Sequence, residues 1–153
     1  MSDYIRSYEH ILLAVDLTEE ANLVAAKAAT IASNSGAKLS IIHVIEPLSF
    51  AYGGDVPMDL SNIQTQLEEH AHKRLESFAA NMSVAPSNLV VATGHTESEI
   101  HRQAETLGCD LIVVGSHGRH GLALLLGSTA NSVLHGAKCD VLAVRVGDEK
   151  TKS

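Results

Sequence analysis

The stretch His10 to Asp16, HILLAVD, decides the fold class of this chain. It is a short apolar run of the length of a strand, and it ends on a lone carboxylate. Its apolar residues do not alternate with polar ones, which is typical of a strand buried on both faces of a parallel sheet. Comparable runs follow along the chain at Leu39 to Ile45, Leu89 to Thr93, Asp110 to Gly115 and Val141 to Val146. The sequence therefore predicts five strands.

Segments with the spacing of amphipathic helices separate these strands. The clearest has apolar residues at steps of three or four, namely Leu60, Ile63, Leu67, Ala71, Leu75, Phe78 and Met82. Thr96 opens a segment with the form of a capping box, TESE, and Thr18 is a weaker signal of a helix start. Gly36, Gly108 and Gly136 each stand where a helical pattern ends, which predicts left-handed C-terminal caps.

Strands and helices alternate, and right-handed crossovers between parallel strands leave few possible topologies. The commonest is an α/β fold with one doubly wound, Rossmann-like open sheet and helices on both faces. Ligands of such sheets bind beyond the carboxyl ends of the strands, where the winding reverses. We therefore expect the functional residues to follow the strands directly.

Composition and charge exclude several classes of function for these 153 residues. A net charge of −7 is the wrong sign for binding a phosphate backbone, and 3% aromatic residues make a poor base-stacking platform. No apolar stretch approaches the ~18 residues that span a bilayer, and no secretory signal is visible. Cys109 and Cys139 are too far apart for a CxxC pair. We expect free thiols, a cytoplasmic location, and neither a nucleic-acid nor a membrane partner.

Two strand ends carry the strongest candidates for a site. Asp16 follows the first strand, either as a hydrogen-bond acceptor or metal contact or as a simple partner for the next helix start. The fourth strand leads into GSHGRHG, residues 115–121, and the triplet Gly127, Ser128 and Thr129 comes shortly after. Glycine-rich turns expose amides that bind anions, and a helix N-terminus favours phosphate. The Walker A and GxGxxG fingerprints are both missing.

Other patterns are weaker. His117 and His120 belong to no recognised metal motif, so we expect no structural metal held by protein side chains. Ser116 and His117 are chain neighbours, which seldom aim at each other, so no catalytic residue is assigned. The long connection from Glu46 to Met58 is either a lid or binding loop or a disordered segment. Its Phe50 and Tyr52 either cover a ligand or plug the sheet edge.

Taken together, the motifs resemble the universal stress protein family over essentially the whole chain. The matching segments, in the family's order, are HILLAVDLTEEA, IIHVIEP, GCDLIVVGSHGR, GSTANSVLHGA and CDVLAVRV. The resemblance implies a strand order of 3-2-1-4-5 and a domain over residues 1–147 with a polar tail at 148–153. It also implies a cytoplasmic stress-response protein that forms a homodimer through its last strand, Val141 to Val146.

One branch of this family binds ATP, and its pattern is present here with two departures. The resemblance implies that Asp16 contacts the ribose and that Val44 lies by the adenine. The remaining cofactor-binding positions would be Val114, Gly115, Gly118, Arg119, Gly127, Ser128 and Thr129. Eight residues separate Gly118 from Gly127 where the ATP-binding pattern has nine, and Ala14 stands where proline is frequent.

The function implied is a regulatory module that binds ATP or another adenine nucleotide, with or without Mg²⁺, rather than an enzyme. Two alternatives stay open. One is a dimeric stress adaptor that binds no nucleotide, and the other is a slow ATP hydrolase or phosphotransfer protein.

Overall fold

One parallel sheet of five strands organises the chain. The computed structural model describes residues 7–47, 60–116 and 128–146. The strands are β1 (His10–Ala14), β2 (Lys38–Ile45), β3 (Asn88–Thr93), β4 (Leu111–Gly115) and β5 (Asp140–Val144). The helices are α1 (Ala21–Ser35), α2 (Leu60–Ala80), α3 (Thr96–Leu107) and α4 (Ser128–Gly136). The spatial order is β3-β2-β1-β4-β5 with every pair parallel, which confirms the predicted doubly wound sheet.

The central strand β1 is buried on both sides of the sheet, because its residues supply two separate cores. Ile11 and Leu13 pack with α1 and α2, whereas Leu12 packs with α3 and α4. All three are fully buried, which explains why the sequence of β1 lacks alternation. Helices on both faces are thereby confirmed.

Small residues let α1 approach the sheet closely. Its buried positions are almost all alanine, namely Ala21, Ala25, Ala28, Ala29 and Ala32, with Val24 as the one larger side chain. On α2 the predicted apolar stripe is buried only in its second half, where Ala71 and Leu75 join the core. Ile63 and Leu67 stay 42% and 39% exposed.

Of the five predicted helix-boundary residues, two are confirmed and three are wrong. Thr18 does not cap α1, which begins at Ala21 after Glu20 without a side-chain cap. Gly36 and Gly108 adopt left-handed φ angles of 69° and 73°. Gly136 does not, since it is the last residue of α4 and a Cβ there would lie 3.0 Å from His101 Nε2. Close packing of α4 on α3 therefore accounts for this glycine. Thr96 is the first residue of α3 rather than its cap, and its hydroxyl donates to the Glu46 carboxylate instead.

Within the three described ranges, no helix combines the length and the apolar character needed to cross a membrane.

Candidate functional site at the carboxyl edge of the sheet

A cavity of about 180 Å³ opens at the carboxyl edge, the edge where the strands end. Its walls come from the ends of β1, β2 and β4 and from the first residues of α1, α3 and α4. Apolar side chains form the inner part, among them Ile42, Val44, Ile100 and Val114. The cavity therefore lies at the winding reversal, where ligands of this fold class bind.

The turn that follows β1 holds Asp16 at the mouth of this cavity. Asp16 is exposed, and its Oδ1 accepts hydrogen bonds from the Thr18 amide at 3.0 Å and the Thr18 hydroxyl at 2.7 Å. No described residue donates to Oδ2. The carboxylate thus keeps one oxygen available, although its other oxygen serves the turn before α1.

Carboxylates dominate the charge of the cavity wall. Asp16 and Glu20 both line it, and the part of the wall that the structure describes contains no lysine or arginine. Thr129, near the start of α4, adds a hydroxyl to the lining. An anionic ligand would meet two acidic side chains at one wall and the amides of a helix N-terminus at the other.

Comparison with known proteins identifies the family. The universal stress protein family matches residues 7–145. This chain belongs to the universal stress protein family. A curated relative, universal stress protein A homolog 2 of Coxiella burnetii, is 45% identical over 145 residues, 92% of this chain and 97% of the relative. Homolog 1 of the same organism is 41% identical over 138 residues, covering 90% and 96%.

Solved structures show the same fold at lower identity. The hypothetical protein MJ0577, subject of a structure-based assignment of biochemical function, superposes with a TM-score of 0.75 at 22% identity, covering 94% of this chain and 99% of that one. Universal stress protein UspA from Lactobacillus plantarum gives 0.71 at 24% identity, covering 92% and 99%. A universal stress protein in complex with cAMP gives 0.59 at 22% identity, also covering 92% and 99%.

The cavity brings together five of the nine positions taken from the family's nucleotide-binding pattern, namely Asp16, Val44, Val114, Gly115 and Thr129. They come from four separate stretches of the chain, so the sheet topology is what gathers them. Ser128 is the first residue of α4, and its side chain is outside the description. Gly118, Arg119 and Gly127 lie outside the described residues, as does most of the connection from Glu46 to Met58.

At Gly115 the protein itself does not require a glycine. Its φ is not positive, and the nearest atom to an added Cβ would be Val24 Cγ2 at 3.4 Å, which is an ordinary contact. Neither backbone conformation nor packing within the protein therefore explains why this residue is a glycine. Gly115 lines the cavity, where the absence of a side chain leaves room for a ligand.

Two residues that the sequence did not single out hold the turn after β1. His43 on β2 lines the cavity, and its Nδ1 lies 2.8 Å from the Val15 carbonyl oxygen. Arg74 on α2 donates from Nη2 to the Leu17 carbonyl at 2.8 Å. These contacts join residues 28 and 57 positions apart, so no local pattern could have revealed them.

Ser116, next to the cavity, serves the sheet. It is buried, its amide donates to the Val144 carbonyl at 2.7 Å, and its Oγ accepts from the Val146 amide at 3.2 Å. Those bonds tie the end of β4 to the end of β5. In residues 7–47, 60–116 and 128–146 there is no group of three or more His, Cys, Asp or Glu side chains that could hold a metal ion.

Both cysteines are free, as predicted, and both are held as neutral thiols. Burial is the main cause that raises the pKa of Cys109 from 9.0 to about 12, with smaller contributions from Cys139 and Asp110. Burial likewise raises the pKa of Cys139. A thiol is reactive as its thiolate, so this environment suppresses redox chemistry.

The amino edge of the sheet, where the strands begin, carries a closed polar network. Asp110 accepts hydrogen bonds from the amides of Glu9 and His10 at 3.0 to 3.2 Å. His10 Nδ1 lies 3.0 Å from the Leu107 carbonyl, and His10 Nε2 lies 2.7 Å from Ser40 Oγ. The pair has the spacing of a nucleophile and its base, but Ser40 is 0% exposed. A substrate cannot reach it, so the network is structural.

Proposed function

We propose that this member of the universal stress protein family is a stress-response module that binds an adenine nucleotide, ATP with Mg²⁺, in the cavity at the carboxyl edge. The observation that carries the proposal is the convergence of Asp16, Val44, Val114, Gly115 and Thr129 on one cavity at the winding reversal. The cAMP complex of a protein with this fold supports the same ligand class.

The chemistry of the wall suits the parts of a nucleotide. The apolar inner surface around Val44 and Val114 offers burial to an adenine ring. Oδ2 of Asp16 can accept a hydrogen bond from a ribose hydroxyl, because the Thr18 contacts use only Oδ1. The phosphates would then face the amides that begin α4, beside the Thr129 hydroxyl.

The two carboxylates make the binding of phosphate depend on a counter-cation. Asp16 and Glu20 would repel a bare triphosphate, and no lysine or arginine in the described wall offsets them. A nucleotide that carries Mg²⁺ would bring less net negative charge to this wall. We therefore expect Mg-ATP to bind more tightly than ATP in the presence of EDTA.

We assign this site to binding and signalling rather than to catalysis. Of the polar side chains described near it, the Ser116 hydroxyl is engaged by the Val146 amide and the His43 ring by the Val15 carbonyl. Both side chains therefore serve the fold, and we assign neither a catalytic role. Slow hydrolysis or phosphotransfer is the enzymatic alternative, and a time course of released phosphate separates it from retained ATP.

We further propose that the protein is cytoplasmic and dimerises through β5 and the residues after it, Val141 to Val146. Within residues 7–47, 60–116 and 128–146, β5 lies at the edge of the sheet and pairs with β4 alone, so one row of its backbone groups can pair with another strand. Pairing with a second copy would cover that row symmetrically. Sedimentation at micromolar concentration should give twice the sequence mass, and a monomer would contradict the dimer.

Co-purification tests the nucleotide directly. Protein purified without added ligand is denatured, and the supernatant is analysed for ATP, ADP and AMP. We expect adenine nucleotide in the supernatant and a rise in melting temperature on adding millimolar Mg-ATP. Finding neither would overturn the proposal and favour the adaptor that binds no nucleotide.

A further inference from the structure

Leu17, directly after Asp16, has an unusual backbone conformation. Its φ of 61° makes it the one residue other than glycine with a positive φ among those the structure describes. A residue with a Cβ is disfavoured there, and such a conformation persists only where its surroundings enforce it. The surroundings of residues 15–18, which we call the Asp16 turn, therefore decide where the Asp16 carboxylate lies.

Long-range hydrogen bonds hold the carbonyls on both sides of Asp16. The Val15 carbonyl accepts from His43 of β2, and the Leu17 carbonyl accepts from Arg74 of α2. A third long-range hydrogen bond joins the Val15 amide to the Ile42 carbonyl of β2 at 3.0 Å. The contacts inside the turn, from Thr18 to Asp16 Oδ1, are local and would move with it.

We propose that His43 and Arg74 are positioning residues, which hold the Asp16 turn in its left-handed conformation and so aim the Asp16 carboxylate into the cavity. This inference rests on the proposed function, because the ligand group that Asp16 would meet is a ribose hydroxyl. Neither residue needs to touch the nucleotide for the effect.

His43 and Arg74 both act as hydrogen-bond donors to the turn, so the test variants either keep or remove that donor. A carbonyl oxygen only accepts, so Nδ1 of His43 carries the proton, and the amide of an asparagine can supply a comparable donor. His43→Asn should therefore preserve the turn, whereas His43→Leu and Arg74→Ala should release it. Lys73→Ala is the matched control, because Lys73 precedes Arg74 on α2, is exposed, and forms no hydrogen bond with any described residue.

The first measurement is the ratio of dissociation constants for Mg-ATP and Mg-2′,3′-dideoxy-ATP, which lacks both ribose hydroxyls. We expect the wild-type protein, His43→Asn and Lys73→Ala to prefer ATP by about tenfold, as a hydrogen bond to a carboxylate provides. In Arg74→Ala and His43→Leu the preference should fall to about twofold or less. General destabilisation would weaken both ligands equally and leave the ratio intact.

The second measurement needs no ligand. A positive φ brings the amide and α protons of Leu17 close together, so unliganded protein should give a strong intraresidue cross-peak between them in NMR spectra. The peak should weaken in Arg74→Ala and His43→Leu and persist in the other two variants.

The outcomes separate the two proposals. If the wild-type protein binds no ATP, the proposed function fails, and the cross-peak alone decides whether His43 and Arg74 hold the turn. If ATP binds but ratio and cross-peak are unchanged in Arg74→Ala and His43→Leu, the positioning inference is overturned and the proposed function stands.

Discussion

An aspartate carboxylate lies at each end of β1, Asp110 from the residue before β4 and Asp16 from the turn after β1. The two carboxylates have different surroundings. At the amino edge, Asp110 accepts from two amides of the chain entering β1, both about 100 positions away in sequence. At the carboxyl edge, Thr18, two positions away, is the only described residue that donates to Asp16, and Asp16 is exposed beside a cavity. One carboxylate joins distant parts of the fold, whereas the other is held locally and keeps an oxygen available.

The comparison separates stability from function within one sheet. Polar groups of the amino edge, such as Ser40 and His10, have partners in the protein itself. At the carboxyl edge, no described residue donates a hydrogen bond to Asp16 Oδ2, so this oxygen is available to a ligand in the cavity. Changes at the first edge should therefore alter the free energy of unfolding, and changes at the second should alter ligand affinity.

The largest effect on stability is expected for Asp110→Ala. It leaves the amides of Glu9 and His10 without their acceptor, so the free energy of unfolding should fall by about 2 kcal/mol. Asp16→Ala loses only exposed, local bonds and should cost about 0.5 kcal/mol. Urea unfolding of both variants measures the difference. Equal losses in the free energy of unfolding would contradict the view that the amino edge contributes more to stability than the carboxyl edge.

Ser40→Ala should have the next largest effect. The Ser40 hydroxyl is fully buried and contacts His10 Nε2 and Asn88 Nδ2, so its removal leaves two polar groups unpaired at a cost of about 1.5 kcal/mol. Ser83→Ala, at an exposed position, is the control in the same urea titration. A loss no larger than that of the control would show that the network contributes little.

Alkaline pH should destabilise the protein through Cys109. The folded state keeps this thiol protonated up to about pH 12, whereas the unfolded chain releases the proton near its ordinary pKa of 9.0. Above that value the folded state binds more protons, so stability falls as pH rises, by about 1 kcal/mol between pH 8 and pH 10. Cys109→Ala should remove this part of the loss in urea titrations at the two pH values. If Cys109→Ala loses as much stability between pH 8 and pH 10 as the wild-type protein, the Cys109 thiol is not the cause.

The smallest effect is expected at Thr96. Its hydroxyl contacts Glu46 at 3.4 Å and does not cap α3, so Thr96→Ala should change the free energy of unfolding by less than about 0.5 kcal/mol. Loss of a true N-cap costs about 1 kcal/mol. If thermal unfolding shows that Thr96→Ala costs about 1 kcal/mol, the capping box predicted from the sequence would be supported after all.

The sequence predicted what depends on local pattern. Apolar runs located all five strands within two residues. That β1 and β4 are neighbours was implied by the family resemblance rather than by local pattern, and the sheet confirms it. The errors arose where tertiary contacts decide. Gly136 is explained by the approach of His101 from another helix, and Thr96 by Glu46 across the edge. The strained Leu17 and its supports from His43 and Arg74 lie in no motif, because they depend on elements far apart in the chain.

Calorimetric titration of Mg-ATP into the unliganded protein, with Asp16→Ala and Asp110→Ala titrated in parallel, tests the central claim most directly. We expect one saturable site per chain in the wild-type protein and in folded Asp110→Ala, with affinity about tenfold lower in Asp16→Ala, as expected for a lost hydrogen bond to a carboxylate. Two results would contradict the assignment of the carboxyl edge as the nucleotide site. One is the absence of any heat of binding at millimolar Mg-ATP, and the other is an affinity in Asp16→Ala equal to that of the wild-type protein.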